Sequence, residues 1–217
     1  MVNKNTGKSY VYNLKRVDYY EALKIQNSLN DQVNDGLIDD SFMFLEHDDI
    51  YTAGVHYHGD PGIAVKVNRG GYLTYHGPGQ LVVYYIINLK KRNMNALDLI
   101  KKIQGDVISL LSIYGISGNP MFNEKTGVWA GDKKICSIGL GINRFSTLHG
   151  IGLNVSTDLS RFNKIDPCNF PSNVMSSMEK LSGKKLPFEE IKHKFIDITL
   201  NSFKVNNICY LDSPVLP

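Results

Sequence analysis

Apolar residues recur along the chain at two kinds of spacing, which predict strands interspersed with helices. Residues 10–17, 42–46 and 82–89 form short apolar runs typical of β-strands. The run at 82–89 combines valine, tyrosine and isoleucine without polar alternation, so we expect a central strand there and an edge strand at 10–17. Two or three further strands are expected between residues 127 and 155, with a hairpin turn near Gly131.

Three helices are predicted from apolar residues at helical spacing. Asp18 is placed to cap the first and Asn95 the second, while Pro187 opens the last. Gly115 marks the end of the second helix, whose apolar stripe is the clearest. The stripes comprise Ala22, Leu23, Leu29 and Val33, then Leu99, Ile100, Ile103, Val107, Leu110, Leu111 and Tyr114, and finally Ile191, Phe195, Ile198 and Phe203. These elements predict a mixed α/β (α+β) domain over residues 1–217.

Composition narrows the classes of protein to consider. The 217 residues are 42% hydrophobic and 21% charged, and a chain of this length can bury a core. No apolar run approaches the roughly 20 residues that span a bilayer, and the polar start lacks the apolar core of a secretory signal. We therefore expect a cytoplasmic protein without a membrane segment. The net charge of +3, with no basic stripe, argues against a nucleic-acid partner.

The cysteines do not resemble a metal site. Cys136, Cys168 and Cys209 form no CxxC pair, and His56 and His58 have no cysteine nearby, so we expect no bound metal. In a reducing compartment all three cysteines would remain thiols, the state that a nucleophile needs.

Glycine-rich segments carry the candidate chemistry. Residues 69–81 read Arg-Gly-Gly-Tyr-Leu-Thr-Tyr-His-Gly-Pro-Gly-Gln-Leu, with Arg69 and His76 supplying polar groups. A tight hairpin is one explanation for such a cluster, and backbone shaped around a ligand is another. A second glycine-rich segment covers residues 126–143, and a third motif covers 148–155, followed by Pro-Cys at 167–168.

Taken together, these segments resemble the lipoyl(octanoyl) transferase family over about residues 18–183. The similarity lies in Arg-Gly-Gly and Thr-Tyr-His-Gly-Pro-Gly-Gln-Leu within 69–81, in Lys-Ile-Cys-Ser-Ile-Gly at 134–139, in His-Gly with a later asparagine at 149–154, and in Pro-Cys at 167–168. A weaker match covers residues 45–54. The chain departs from the family pattern at Asn169, where glycine is usual, at Met175 and at Val55.

The resemblance implies a mixed β-sheet flanked by helices, as in the catalytic domain of biotin and lipoate protein ligases. It implies transfer of an octanoyl group from octanoyl-acyl carrier protein to the target lysine of lipoyl domains, with Cys168 as nucleophile and Lys134 as its partner, and without a cofactor. The expected acceptors are the lipoyl domains of 2-oxoacid dehydrogenase complexes and the glycine cleavage H protein. The implied substrate-binding residues are Arg69, Gly70, Gly71, Tyr72, Leu73, Thr74, Tyr75, His76, Ser137, Ile138, Gly139, Gly150, Ile151 and Gly152, supported by His149, Asn154, Gly77 and Gln80.

Thioester chemistry accounts for a cysteine beside a lysine. Attack of a thiolate on a thioester is nearly balanced in energy, so an acyl-enzyme divides transfer into two easier steps. A free thiol has a pKa near 8.5, which a neighbouring ammonium lowers. Cys168 and Lys134 can meet only if the hairpin at 127–143 folds against the loop at 165–169.

Other assignments follow from strand alternation and residue type. Lys133 and Lys134 must face opposite sides of a strand, and the motif selects Lys134. His76 and His149 are expected in the pocket as hydrogen-bond partners rather than as the main base. Cys136 is expected to line the pocket. A buried position is expected for Cys209, and Trp129 is expected in the core.

The sequence leaves the docking surface, the oligomeric state and several alternative functions to be decided. An acidic carrier protein would favour a basic surface, for which the candidates are Lys66, Arg69, Lys90, Lys91 and Arg92. A monomer is the default expectation. The rivals are an ATP-dependent lipoate or biotin ligase, a non-catalytic acyl-chain or carrier-binding module, and a hydrolase using Cys168 with His76 or His149.

Overall fold

The computed structural model describes residues 7–167 and 171–216. Its strands are β1 (Ser9–Arg16), β2 (Ser41–Glu46), β3 (Ile50–Ala53), β4 (Val65–Lys66), β5 (Leu73–His76), β6 (Gln80–Ile86), β7 (Asn119–Met121), β8 (Gly127–Ala130), β9 (Lys133–Asn143), β10 (Ser146–Asn154) and β11 (Ile208–Leu211). Its α-helices are α1 (Tyr19–Asn34), α2 (Ala96–Ile113), α3 (Met178–Ser182) and α4 (Phe188–Phe203).

Two sheets are formed by the described strands. The larger has the order β11-β1-β2-β6-β10-β9-β8-β7, and the smaller has the order β4-β3-β5. In the larger sheet β1 runs parallel to β11 and β2, whereas the other neighbours are antiparallel. The predicted mixed sheet is therefore confirmed.

Strand β6 occupies the middle of the larger sheet, and helices cover both of its faces. Val82, Tyr84 and Ile86 pack with the buried side of α1. The alternate residues of β6, Leu81, Val83 and Tyr85, pack with α2 and α4. Because both faces are buried, the strand has no polar alternation, which confirms its predicted central position.

Capping residues begin the helices where the sequence predicts. The Asp18 side chain accepts hydrogen bonds from the backbone N–H groups of Tyr20 and Glu21 at the start of α1. Asn95 and Asp98 form a reciprocal capping box at the start of α2. None of the helices in the described ranges is both long and apolar enough to cross a membrane.

Strand β1 is not an edge strand, contrary to the prediction. The C-terminal strand β11 pairs with its outer side, with Ser9 opposite Ile208. Strand β11 was not predicted, because four residues after a pair of asparagines are too few to show periodicity. As part of this edge strand, Cys209 is only partly buried, which corrects its predicted burial.

Candidate active site

A short segment crosses the sheet and encloses the site; we call residues 68–72 the strap. The backbone N–H of Gly70 donates to the carbonyl of Leu140 in β9 at 2.8 Å. A Cβ at Gly139 would lie 3.0 Å from the carbonyl oxygen of Gly70, so glycine permits the close approach. His149 Nε2 lies 2.6 Å from Asn68 Oδ1 and ties the strap to β10.

Arg69 anchors the strap from inside the protein. Its guanidinium donates to Thr52 Oγ1 and to the carbonyls of Thr52, Gly70 and Tyr72 at 2.8–3.2 Å. The side chain is buried, so the prediction that Arg69 contributes to a basic docking surface is wrong. The physical reason is that its guanidinium is used to donate to backbone oxygens instead of facing solvent.

Two of the other candidates for a basic surface are paired with acidic side chains. Lys91 forms an ion pair with Asp39, and Arg92 donates to Asp40 at 2.6 Å. Docking of an acidic partner through these two side chains would first have to break those pairs.

Between the strap and the sheet lies a cavity of about 840 Å³, within the usual range for a ligand site. It is bounded by the strap, by β9 and β10 and by the start of α2. All the predicted binding residues except two line it, namely Arg69, Gly70, Gly71, Tyr72, Thr74, His76, Ser137, Ile138, Gly139, Gly150, Ile151 and Gly152, together with Lys134 and His149. Their binding roles remain predictions.

The two exceptions, Leu73 and Tyr75, face the other side of β5. Leu73 and Tyr75 pack in a separate cluster with Phe162 and Met175, and the Tyr75 hydroxyl donates to Asp49 at 2.6 Å. Strand alternation explains this, because Thr74 and His76 point into the cavity.

Lys134 is buried in the cavity wall, with 1% of its surface exposed. Its Nζ lies 5.8 Å from the ring centroid of Trp129, within range of a cation–π contact. Lys133 points the other way, toward Asp132 and the carbonyl of Asn173. The choice of Lys134 as the inward-facing lysine is thus consistent with the fold, and Trp129 is buried as predicted.

Gly127 provides the space for the Lys134 side chain. A Cβ at Gly127 would lie 2.8 Å from Lys134 Cε and 2.2 Å from the carbonyl oxygen of Cys136, and its φ of 149° disfavours other residues. This role has no local signal in the sequence, because the contact joins two neighbouring strands.

The chain that follows residue 170 runs beside Lys134. Met175 forms an isolated parallel bridge with Lys134, and the N–H of Ser176 donates to the Lys134 carbonyl at 2.8 Å. Ile165 and Val174 pack against the same apolar cluster. Cys168 and Asn169, the predicted nucleophile and its neighbour, lie outside the described residues.

Cys136 does not line the cavity, contrary to the prediction. It is fully buried in the main core, where its S–H donates to the carbonyl of Ser137. Burial raises the pKa of the Cys136 thiol, although Lys134 acts in the opposite direction. An inert thiol is expected at this position.

His76 is held in one tautomer by the supporting residues. Its Nδ1 lies 2.6 Å from Gln80 Oε1, while Gln80 Nε2 donates to the Tyr75 carbonyl and to Asn154 Oδ1. Since the amide oxygen of Gln80 only accepts, Nδ1 carries the proton and Nε2 is unprotonated. Gly77, also predicted as supporting, accepts the N–H of Gln80. Burial, reinforced by His47, lowers the pKa of His76 to about 3.

Residues that the sequence analysis missed complete this end of the cavity. His47 donates from Nδ1 to the Val17 carbonyl at 2.7 Å and accepts from the Tyr84 hydroxyl at Nε2, also at 2.7 Å. Burial lowers the pKa of His47 to about 4 and that of His149 to about 4. The His149 ring lies edge-on to the Tyr84 ring, and the His47 ring is tilted by 40° relative to it.

The remaining missed residues carry no sequence signal because distant segments bring them together. They are Tyr19, Tyr84, Ala96, Ile100, Asn123, Glu124, Thr126, Leu140 and Ile142, with His56 and His58 at the exposed mouth. Within residues 7–167 and 171–216, no three His, Cys, Asp or Glu side chains are grouped to hold a metal ion.

Known proteins are similar to this chain over most of its length. Residues 18–199 match the family model of the lipoyl protein ligase A/B catalytic domain. A protein of Picrophilus torridus named "Probable octanoyltransferase 2" is 55% identical over 189 residues, covering 87% of this chain and 77% of the relative. The octanoyltransferase of Thermoanaerobacter pseudethanolicus is 36% identical, covering 95% of this chain and 98% of the relative.

Solved structures share the fold at low sequence identity. Lipoate-protein ligase A bound with ATP superposes with a TM-score of 0.74 at 16% identity, covering 96% of this chain and 89% of the ligase. Biotin protein ligase from Aquifex aeolicus superposes with a TM-score of 0.56 at 14% identity, covering 90% and 70% of the two chains. With the family match and the octanoyltransferase relatives, the chain belongs to the lipoyl protein ligase A/B catalytic domain family.

Proposed function

We propose that this protein transfers an octanoyl group from octanoyl-acyl carrier protein to the target lysine of a lipoyl domain, through a thioester on Cys168. Similarity to octanoyltransferases over most of the chain supports acyl transfer as the class of reaction. The observation that carries the proposal is a lysine, Lys134, buried in the wall of a ligand-sized cavity and bridged to the chain that follows residue 170.

The cavity suits an acyl chain. Much of its wall is formed by glycine backbone and by apolar side chains such as Ile138 and Ile151, beneath the strap. Burial of each methylene stabilises a bound chain by roughly 0.8 kcal/mol, so an octanoyl group gains most of its affinity from this surface.

In the first step, the Cys168 thiolate attacks the carbonyl carbon of the donor thioester. The bond from that carbon to the carrier sulfur breaks, and the carrier leaves as a thiol after it receives a proton. In the second step, the lysine amine of the lipoyl domain attacks the enzyme thioester and forms an amide. The bond from the acyl carbon to the Cys168 sulfur breaks, the amine loses one proton to Lys134, and Cys168 is released as a thiolate. The two steps balance without an oxidant, a nucleotide or a metal.

Lys134 is assigned the proton transfers in both steps. Within the described residues it forms no ion pair with an acidic side chain, so its ammonium is available to favour a nearby thiolate. It would give a proton to the leaving thiol and then accept one from the attacking amine. Burial of a lysine that has no carboxylate partner in the described part of the chain is costly, which also favours a functional role.

His76 is assigned a hydrogen-bonding role rather than that of a base. With its pKa lowered to about 3 by burial, its ring is a poor proton acceptor near neutral pH. The unprotonated Nε2 can accept a hydrogen bond from a group that enters the cavity.

The wider assignments belong to the same proposal. The acceptors would be lipoyl domains of 2-oxoacid dehydrogenase complexes and the glycine cleavage H protein. The protein would act as a cytoplasmic monomer built from one domain, and it would require no cofactor.

Intact-protein mass spectrometry after mixing with octanoyl-acyl carrier protein tests the proposal. We expect one octanoyl adduct on the wild type and none on Cys168→Ser. Lys134→Ala should slow its formation by about 10²–10⁴-fold, the range typical of general acid–base catalysis. Lys133→Ala, on the opposite face, is the matched control and should react like the wild type.

Three other outcomes would contradict the transferase. Full activity of Cys168→Ser with free octanoate and ATP would indicate a ligase, the activity named for the structurally similar lipoate-protein ligase A. Binding of the acyl carrier protein without any adduct would indicate a binding module. Release of octanoate faster than its transfer to a lipoyl domain would indicate a hydrolase.

A further inference from the structure

A continuous chain of hydrogen bonds joins the cavity wall to the strand of Lys134. It begins with His76 Nδ1 and Gln80 Oε1 at 2.6 Å and continues from Gln80 Nε2 to Asn154 Oδ1 at 2.9 Å. Asn154 Nδ2 then donates to the carbonyl of Ser176 at 3.0 Å. The N–H of Ser176 donates to the Lys134 carbonyl at 2.8 Å and completes the path.

Two amide side chains form the centre of this path. Gln80 opens β6 and lies directly opposite Asn154, the last residue of β10, in the antiparallel register. Gln80 is 2% exposed and Asn154 is 0% exposed. Buried amides are retained at a cost unless all their groups are satisfied, and here each finds partners on a different segment of the chain.

The direction of every bond is fixed by the backbone. The carbonyls of Ser176 and Tyr75 can only accept, so the amide nitrogens of Asn154 and Gln80 must face them. The oxygen of Gln80 is therefore left for His76, which must carry its proton on Nδ1. Substitution of either amide therefore reverses the direction of at least one of these hydrogen bonds or removes it.

Building on the proposed transferase, we infer that Gln80 and Asn154 are positioning residues for the acyl-transfer site. Asn154 fixes residues 175–176 against the strand of Lys134, and Gln80 keeps the Nε2 of His76 unprotonated toward the cavity. Neither amide lines the cavity, so each acts through another residue.

Two conservative substitutions separate the roles. Asn154→Asp keeps an acceptor for Gln80 but loses the donor to Ser176, and a carboxylate then faces a carbonyl. Gln80→Glu keeps an acceptor for His76 but cannot donate to Asn154, and its charge favours a protonated His76 ring. If either variant fails to fold, Asn154→Ser and Gln80→Met remove the same bonds without adding charge.

Asn30→Asp is the matched control for loss of a buried amide. Asn30 is 0% exposed and donates to the carbonyl of Thr147 at 3.0 Å, but it lies on α1 and does not line the cavity. Its substitution removes a bond of the same kind at a comparable depth. We expect it to lower the melting temperature while leaving the rate of octanoyl-adduct formation close to that of the wild type.

The test measures the adduct rate against octanoyl-acyl carrier protein concentration at several pH values. We expect Asn154→Asp to lower the maximal rate by about 10–100-fold, as for slight misplacement of reacting groups, with little change in the half-saturating concentration. We expect Gln80→Glu to introduce an ionisation between about pH 5 and pH 8 that the wild type lacks, because His76 then titrates.

The controls separate this inference from the proposed function. If the wild type forms its adduct but Asn154→Asp and Gln80→Glu both behave like Asn30→Asp, the positioning role is wrong and the transferase remains. If the wild type forms no adduct, the proposed function fails. The rate of Cys168 alkylation against pH, followed by peptide mass spectrometry, then tests the positioning role instead. A profile of Asn154→Asp that differs from those of the wild type and Asn30→Asp supports positioning, whereas identical profiles overturn it.

Discussion

Arg69 and Thr52 are joined by three hydrogen bonds: Nε and Nη2 donate to the Thr52 hydroxyl at 3.2 and 2.9 Å, and Nη2 donates to the Thr52 carbonyl at 2.8 Å. Thr52 belongs to β3 in the smaller sheet, whereas Arg69 belongs to the strap over the larger sheet. The smaller sheet therefore acts as the anchor that holds the strap above the cavity.

Replacement of the Thr52 hydroxyl tests this anchor. Thr52→Val preserves the size of a side chain that is 0% exposed but removes the acceptor of two bonds from a buried guanidinium. We expect the free energy of unfolding to fall by about 1–3 kcal/mol, as for a buried charged donor that loses its partner. Denaturant unfolding measures the change, and Ser109→Ala, which removes an exposed hydroxyl, is the control.

An unchanged denaturation midpoint in Thr52→Val would show that the carbonyl bonds alone hold Arg69. If Thr52→Val forms the octanoyl adduct more slowly but keeps its denaturation midpoint, the lost hydroxyl changes the shape of the cavity and not the stability of the fold.

A side chain added under the strap should obstruct the cavity. In Gly139→Ala the new Cβ would lie 3.0 Å from the Gly70 carbonyl oxygen and 3.3 Å from Arg69 Cδ, so the strap must move. We expect octanoyl-adduct formation to fall by about tenfold or more, consistent with misplaced substrate. The rate, measured at saturating octanoyl-acyl carrier protein, should fall more than the loss of stability can explain.

Gly105→Ala provides the matched control for Gly139→Ala. Gly105 lies within α2 with nothing within 4 Å of an added Cβ. Because alanine favours helix over glycine by about 0.8–1 kcal/mol, this variant should be more stable and fully active. Equal activity of the two alanine variants would refute obstruction by the strap.

Local patterns in the sequence predicted much of the fold. Asp18 and Asn95 begin their helices as expected because capping depends on neighbours three residues away or fewer. Strand alternation put Lys133 and Lys134 on opposite faces, and the resemblance of the motif at 134–139 selected Lys134, which is buried. The glycines of the motifs marked the places where backbone segments approach closely, as at Gly139.

Contacts between distant segments could not be predicted in the same way. The placement of Cys136 in the core depends on which face of β9 meets α2, and periodicity alone did not distinguish that face from the cavity. The edge position expected for β1 failed because β11 lies almost 200 residues away in sequence, with Ser9 opposite Ile208. His47 and Tyr84 meet only when β2 and β6 pair, so their shared hydrogen bond left no local signal.

The buried histidines should make the protein sensitive to acid. Burial lowers the pKa of His76 to about 3, and those of His47 and His149 to about 4, from an ordinary value of 6.5. Between the folded and unfolded values the unfolded chain binds more protons, so stability is present above about pH 6.5 and is lost as the pH falls toward 4. Denaturant unfolding at about pH 7, 6 and 5 measures this decline.

A single histidine substitution identifies the source of the acid sensitivity. His76→Gln should flatten the decline in unfolding free energy, whereas His56→Gln, at an exposed position, should leave it unchanged. Parallel declines in both variants and the wild type would show that other groups control the response.

Ionisation of Asp106 should change the free energy of unfolding in the opposite direction: it should lower stability as the pH rises through this range. It lies in α2 with 6% of its surface exposed, and its Oδ2 has no hydrogen-bond partner among the described residues. Burial raises the pKa of Asp106 to about 6 from 3.8, although Ser202 and Lys102 favour the charged form. The folded state therefore holds this proton to a higher pH than the unfolded chain, and stability is lost as the pH rises from about 4 to about 6.

Asp106→Asn removes this ionisation while it preserves the shape of the side chain. We expect the variant and the wild type to have similar unfolding free energies near pH 4, and the variant to be the more stable at pH 7. Because the loss through Asp106 no longer offsets the gain through the histidines, the rise in stability from pH 4 to pH 7 should be steeper in the variant. A difference between the two proteins that stays constant across this range would mean that Asp106 is not the titrating group.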